Sequence, residues 1–562
     1  MIATAVLIHI AISTFSAIVL GVVIGQETLF AAVMSLCLGT VGSIWIVLGY
    51  KDKHRLLPKI KFVPALFYSF IGFIGLQHFL YLLYYDQHGL KTLHINNFGD
   101  LSLHIQYIRS IANGVHFWPE NPGYAGELLR YPFGMDLYNA LWEILGVPLD
   151  SHLFLVGFVM TLITILFFHR WMGWLGVGAF FLNGGLANLQ CIWAGRLYDF
   201  QNSLAWKNFF LSLWITQRGL LFAIPAGIYI LRIITSVLLG ERNLSNQDKI
   251  ICIVLWSALA LFHIHSFVIV TLVLGICTLL YKKVRSMSTI LIPVAIIGLV
   301  FIWFQTEGFS KASILHIQWR WVAGNENIIK FWLMNLGPWI IIGVISIFFL
   351  LKKQLASLRP IALVVFVLFI IFTWLMIAPW DWDNIKVLLW LYLLIVWIAW
   401  RTWVKDLAPV IAFFTGCILF FSGAVSVVSS LPGNSKGAQL YKAVELWEAK
   451  TALMDVPSDS VLAIVPDPNH PAMFWGMKVA MRYPGQLWSH GIDYTERERQ
   501  LEDIYKGKED WLVFAKDIGI SHIYWGEHEE RKYSTFNPQW QHHLKNVSRT
   551  PEIAVYDLKS YK

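Results

Sequence analysis

Long apolar runs separated by short charged turns set the pattern of this chain. Runs over 3–24, 28–50, 62–84, 151–169, 171–188, 209–231, 288–305, 331–351, 360–379, 385–400 and 407–428 are each near the roughly 20 residues that an α-helix needs to cross hydrocarbon. Residues 250–281 are too long for one span and are interrupted by His263-Ile264-His265, so they read as two half-helices meeting at the histidines. The pattern predicts about thirteen spans within residues 1–430. It breaks twice: at a polar, Pro/Gly-punctuated stretch over 86–150, and again after 430, where charges, Pro and Gly run through to the end and no further span follows.

Composition agrees. Of 562 residues 57% are hydrophobic and 14% charged, with 27 Trp and 38 Phe, which is too apolar for a soluble globule. The fold class is a polytopic α-helical membrane protein. Basic residues cluster in short turns (Lys51, Lys53, Arg55, Lys59 and Lys61; Arg232, Arg242 and Lys249; Lys282, Lys283 and Arg285; Lys352 and Lys353), and the positive-inside rule places these turns in the cytoplasm. The N-terminus is then cytoplasmic and 431–562 lie outside, in a multi-pass protein of the cell membrane. The net charge of +8 reflects that bias, and no nucleic-acid partner is expected. The first run lacks a basic leader and a second follows closely, so it reads as a retained anchor. Five cysteines show neither pairing nor metal spacing.

In the tail, strand-like runs at Val461–Val465, His522–Tyr524 and Ile553–Tyr556 alternate with helix-like stretches at 439–454 and 495–506, which predicts a small extracytoplasmic α/β domain over 431–562. Its densest polar patch runs from Met481 through His490 and Asp493 to Glu498.

The outer loop 86–150 carries the first candidate chemistry. Gly99-Asp100 opens a helical pattern in which Leu101, Ile105, Ile108 and Ala112 share one face while Asp100 and His104, four apart, share another. Ionisable groups at a membrane boundary mark a functional site by default. Asp100 also reads as the N-cap of that helix, and the two roles are compatible. Asp381-Trp382-Asp383 could hold Mg²⁺ or Mn²⁺ through alternating carboxylates, or could simply be a hydrophilic turn. His263 and His265 read either as site residues or as histidines packed between helices. Neither a phosphate-cradling glycine motif nor a nucleophile elbow is present, which argues against a nucleotide-driven pump, and acids within the spans are sparse for an ion-coupled transporter.

Gly99-Asp100 followed by His104, Gly114, Pro119, Pro122, Gly126 and Tyr131-Pro132 resembles the first extracytoplasmic loop of the GT-C glycosyltransferases, in particular the protein-mannosyltransferase-like (family 39-like) group. PWDWDNIK and the tail segments YPGQLWSHGIDYTERERQLEDIYKG and IGISHIYWGEHE are similar to that group as well. The resemblance implies transfer of a sugar, with inversion, from a polyprenyl-phosphate donor in the membrane lipid to an extracytoplasmic acceptor: a glycan, a lipid or a protein. It matches Asp100 to the loop aspartate that acts as catalytic base or organises acceptor and metal; many relatives follow it with a second acid where this chain has Leu101, and His104 is placed to take part of that role. Such chemistry needs donors for a departing phosphate, for which Arg130, Arg218, His263, His265 and Lys386 are candidates, with Tyr131 and His490 beside the substrates. The competing expectations are a lipid or glycan transporter or flippase, and a non-enzymatic envelope assembly protein.

Overall fold

The computed structural model describes residues 1–49, 60–308 and 315–561, so the basic turn bearing Lys51, Lys53, Arg55 and Lys59 lies outside the described residues. Among the described residues nine helices are long and apolar enough to cross a membrane, or ten if Ile328–Asn335 and Pro338–Leu350, bent by 100°, count as one broken span. This count differs from the expected thirteen or so for two reasons. Residues 151–169 and 171–188 fall mostly in one stretch, Leu149–Phe181, which counts once although non-helical Gly173 divides it into two helices. The expected reversal is present but falls at Gly173 instead of His169-Arg170: Gly173 takes φ 58° and ψ −146°, which glycine alone tolerates, and the Phe168 and Phe180 rings stack at 5.3 Å across it. The second reason lies at the histidines, where the two expected half-helices are present but too short to be among the nine. Asn246–Phe262 and Ile264–Leu280 are 17 residues each, and a bond from Trp256 Nε1 to Thr271 Oγ1 shows them antiparallel across the turn at His263.

That turn is pressed against the start of the helix Arg218–Leu238. A Cβ on Gly219 would stand 1.9 Å from the Phe262 carbonyl oxygen, so only glycine allows the two segments to meet there. The close approach puts Gln217, His263 and His265 on one side of a common space.

The polar stretch folds into the loop helix Asn97–Ala112 and a second helix, Gly134–Ile144. Leu101, Ile105 and Ile108 are buried as expected. The N-cap expectation for Asp100 is not met: a turn in which Asn97 and Phe98 donate to the His94 and Ile95 carbonyls starts the helix earlier, leaving Asp100 within its first turn.

After 430 the chain forms a five-stranded sheet in the order Lys478–Val479, Val461–Ala463, His522–Trp525, Ala554–Asp557, Lys545–Asn546. The first three strands run parallel and the last two pair antiparallel. The helices Ala443–Ala452 and Thr495–Tyr505 appear near their expected places. Residues 438–442 do not join the first of them. They form a strand on the edge of Gly89–Thr92, in the hairpin that follows the third apolar helix, and so bury Leu440 and Tyr441.

Candidate functional site

Loop, apolar helices and tail close around one cavity of about 770 Å³. Asp100, His104, Arg130 and Tyr131 line it from the loop; His263, His265, Asp383 and Lys386 from the helices; His490 from the tail. Of the residues predicted from sequence, only Arg218 and Asp381 fall outside this lining.

Asp100 accepts a hydrogen bond from Gln217 Nε2 at 3.3 Å and has no ion-pair partner among the described residues. Burial raises its pKa above the ordinary carboxylate value, while His104 and Lys386 pull it back. A desolvated carboxylate without a counter-ion is a strengthened proton acceptor. One turn on, His104 Nδ1 lies 2.9 and 3.0 Å from the two oxygens of Asp136, with both side chains 1% exposed. Its Nε2 is buried and unpartnered among the described residues. Asp136 was not predicted, since an acid in the first turn of an amphipathic helix is ordinary capping chemistry.

Arg218 is fully buried behind the lining, and its guanidinium makes no hydrogen bond among the described residues. It interacts electrostatically with Asp136, and its expected contact with a phosphate in the cavity is corrected accordingly. Arg130 does line the cavity, but two carboxylates, Glu127 and Glu307, pair with it and more than offset its single charge, whereas Lys386 has one such partner among the described residues.

On the helix side Lys386 Nζ is 2.5 Å from Asp383 Oδ1 and donates to Gln217 Oε1 at 3.2 Å. Gln217, another residue missed from sequence, thus bridges Asp100 to the ion pair. The metal expectation fails on geometry. Asp381 and Asp383 are the first and third residues of the helix Asp381–Thr402, and positions two apart do not face each other. Asp381 is exposed and outside the cavity, Asp383 is matched by Lys386, and among the described residues no three His, Cys, Asp or Glu side chains group as metal ligands. The pair does not fit Mg²⁺ or Mn²⁺.

The tail braces the loop helix from behind. Buried Arg482 donates through Nη1 to Gln106 Oε1 at 3.1 Å and through Nε to Gln486 Oε1 at 2.7 Å; Gln486 Nε2 donates to the carbonyl of Gly99 at 3.0 Å, beside Asp100. Gln106 in turn donates to the carbonyls of Pro122 and Met477, and Ser102 to that of Pro468. His490 stacks near Tyr131 at 5.0 Å, and burial, reinforced by Arg482, lowers its pKa to about 3. It is a neutral wall residue. Tyr483 and Trp488, each nearly half exposed, offer ring faces to the same space.

No family model and no curated protein matches the chain. Solved structures of the Archaeoglobus fulgidus oligosaccharyltransferase are similar to it at low identity. The apo form matches at 10% identity and TM-score 0.44, covering 83% of this chain and 70% of that one. The form tethered to an acceptor peptide containing the NVT sequon gives 11%, 0.40, 83% and 69%. The archaeal oligosaccharyltransferase AglB from the same organism, in complex with an inhibitory peptide and a dolichol-phosphate, gives 12%, 0.40, 83% and 70%. Likenesses this distant carry no assignment of the site, which rests on the geometry above.

Proposed function

We propose that this chain is a GT-C glycosyltransferase that moves a sugar from a polyprenyl-phosphate donor to an extracytoplasmic acceptor, inverting the anomeric centre. One observation carries the proposal: Asp100, a half-buried carboxylate without an ion-pair partner among the described residues, lines a cavity that also holds Lys386 and two histidines and has apolar lining from Leu103, Ile264 and Ile302. The carboxylate takes the acceptor hydroxyl's proton as its oxygen attacks the sugar, and Lys386 with the histidines meets the charge left on the phosphate. The apolar lining suits a prenyl chain. In this proposal residues 1–430 form the catalytic membrane domain, with the loop 86–150 outside the cytoplasm, and 431–562 an outer domain that completes the acceptor side.

The test is a mass-spectrometric comparison of envelope glycans, glycolipids and glycoproteins from cells carrying the wild-type chain or Asp100→Asn at equal membrane abundance. Loss of one defined sugar is expected, by about 10²-fold or more for removal of a general base. A product retained in the variant but lost on deletion of the chain overturns Asp100 as the base. One observation favours a transporter instead: the 100° bend at 336–337 is a second interrupted helix beside the His263 turn, as transport sites built from broken helices require. Accumulation of an untransferred lipid-linked sugar on the inner leaflet of the deletion strain would decide for it.

A further inference from the structure

His104 and His263 both line the cavity, and each ends in a buried, unpartnered Nε2 among the described residues, yet their Nδ1 atoms are held by opposite kinds of group. For His104 the partner is a carboxylate. Asp136 can only accept, so Nδ1 carries the hydrogen and Nε2 is left with a lone pair. Arg218, buried nearby, supports the charge on Asp136.

For His263 the partners donate. Nδ1 caps the helix Ile264–Leu280 by accepting the Ser266 backbone N–H at 3.2 Å, and it lies 2.8 Å from Ser266 Oγ. That hydroxyl is itself 2.8 Å from Trp390 Nε1, which can only donate. Oγ accepts from the indole, and because the Ser266 N–H already needs the lone pair of Nδ1, the hydroxyl is the donor between Oγ and Nδ1. With two donors on Nδ1, the hydrogen of neutral His263 sits on Nε2, at the N-terminal end of a 17-residue helix whose dipole also favours an anion.

We propose that the cavity fixes its two histidines in opposite neutral tautomers: His104 as a proton acceptor at Nε2, and His263 as an N–H donor at Nε2 for an oxygen of the departing phosphate. Asp136 positions the first, Ser266 and Trp390 the second. Resting on the glycosyl-transfer function proposed above, the step balances as follows. The acceptor O–H breaks and its oxygen bonds the anomeric carbon; the bond from that carbon to the phosphate oxygen breaks and its electron pair stays on the phosphate. The proton goes to Asp100 and then to the lone pair of His104, one helical turn away. His263 keeps its own hydrogen and lends it as a hydrogen bond, so that wall meets the new charge without adding a proton of its own.

The test uses the full chain, labelled with ¹⁵N-histidine, in nanodiscs. His104→Gln and His263→Gln spectra assign the two rings by difference. The wild type is expected to show Nδ1–H for His104 and Nε2–H for His263. Ser266→Ala, which leaves one donor on Nδ1, should move only His263, and Asp136→Asn only His104. Farnesyl phosphate, used as the probe, should shift the His263 Nε2–H resonance and leave His104 in place, with binding about tenfold weaker in Ser266→Ala. The same tautomer for both rings, or a probe response at His104 alone, overturns the proposal. Equal shifts with inorganic phosphate uphold the donor role and overturn the lipid-linked source. Because the tautomers are read without turnover, their failure is distinct from that of the transferase function, which Asp100→Asn decides; if that variant loses product while Asp136→Asn and His104→Gln keep it in full, the transferase stands and the proton path through His104 falls.

Discussion

The two walls of the cavity are held by different physics. On the loop and tail side, Gly99, Ser102, Gln106, Arg482 and Gln486 form a chain of hydrogen bonds between side chains and carbonyls, all buried or nearly so. On the helix side, one ion pair, Asp383–Lys386, and a two-bond relay through Ser266 sit in close-packed apolar surroundings, with Trp390, Phe262 and Leu389 fully buried. A network of neutral and singly charged groups loses a few bonds at a time when a member is removed. An isolated charge pair has no such tolerance, because either partner alone is a buried charge.

The difference can be broken first where it is starkest. Lys386→Met strands Asp383 and is expected to lower stability by about 3–5 kcal/mol, read as the folded fraction in an SDS titration; Asp383→Asn with Lys386→Met should recover most of it. Full stability in the single variant would mean that the pair is solvated. Arg482→Met leaves two buried amides short of partners and should cost about 2–3 kcal/mol locally. Hydrogen exchange should then quicken over 97–112 and 484–489 while the apolar helices are unchanged; uniform quickening would show that the two walls are one cooperative unit. Gly219→Ala forces a methyl against the Phe262 carbonyl, and overpacking of about 1–3 kcal/mol should appear together with weaker farnesyl phosphate binding, since the His263 turn must shift.

The smallest effect sharpens the tail side. Two carboxylates, Glu445 and Asp467, outweigh burial and raise the His528 pKa to about 10. A folded-state value above the unfolded one means stabilisation that is complete below about pH 6.5 and fades as the pH rises to about 10. His528→Gln should therefore cost about 1–2 kcal/mol of tail stability at pH 6 and almost nothing near pH 10, measured by tail-specific proteolysis. A cost independent of pH would make the contact one of packing alone.

Much of the helix wall was legible because an ionisable or imidazole side chain inside an apolar run stands out: His263, His265, Asp383 and Lys386 are polar where their neighbours are not. The loop pair Asp100 and His104 showed through four-residue spacing. Asp136, Gln217, Arg482 and Gln486 did not, because what distinguishes them is a partner 32 to 387 positions away, and no local pattern encodes that. The metal expectation failed for a related reason. Whether two acids two positions apart converge depends on whether the backbone there is a turn or already helix, and the helix begins at Asp381 itself. The positions of most long helices were readable from hydropathy, and so was the reversal expected at His169-Arg170, displaced to Gly173 because the residue that tolerates φ 58°, and not the charged pair, sets where the chain turns back.

The bracing of the loop helix by Arg482 has a consequence for biosynthesis. Gln106 and Arg482 are 376 positions apart, and at about 5–20 residues per second a ribosome needs roughly 20–75 s to cover that distance. For that interval the helix carrying Asp100 has been made while Gln106 Oε1 still lacks its partner. The protein is thus born with an unfinished site, and whatever shields residues 97–112 during those seconds governs its yield.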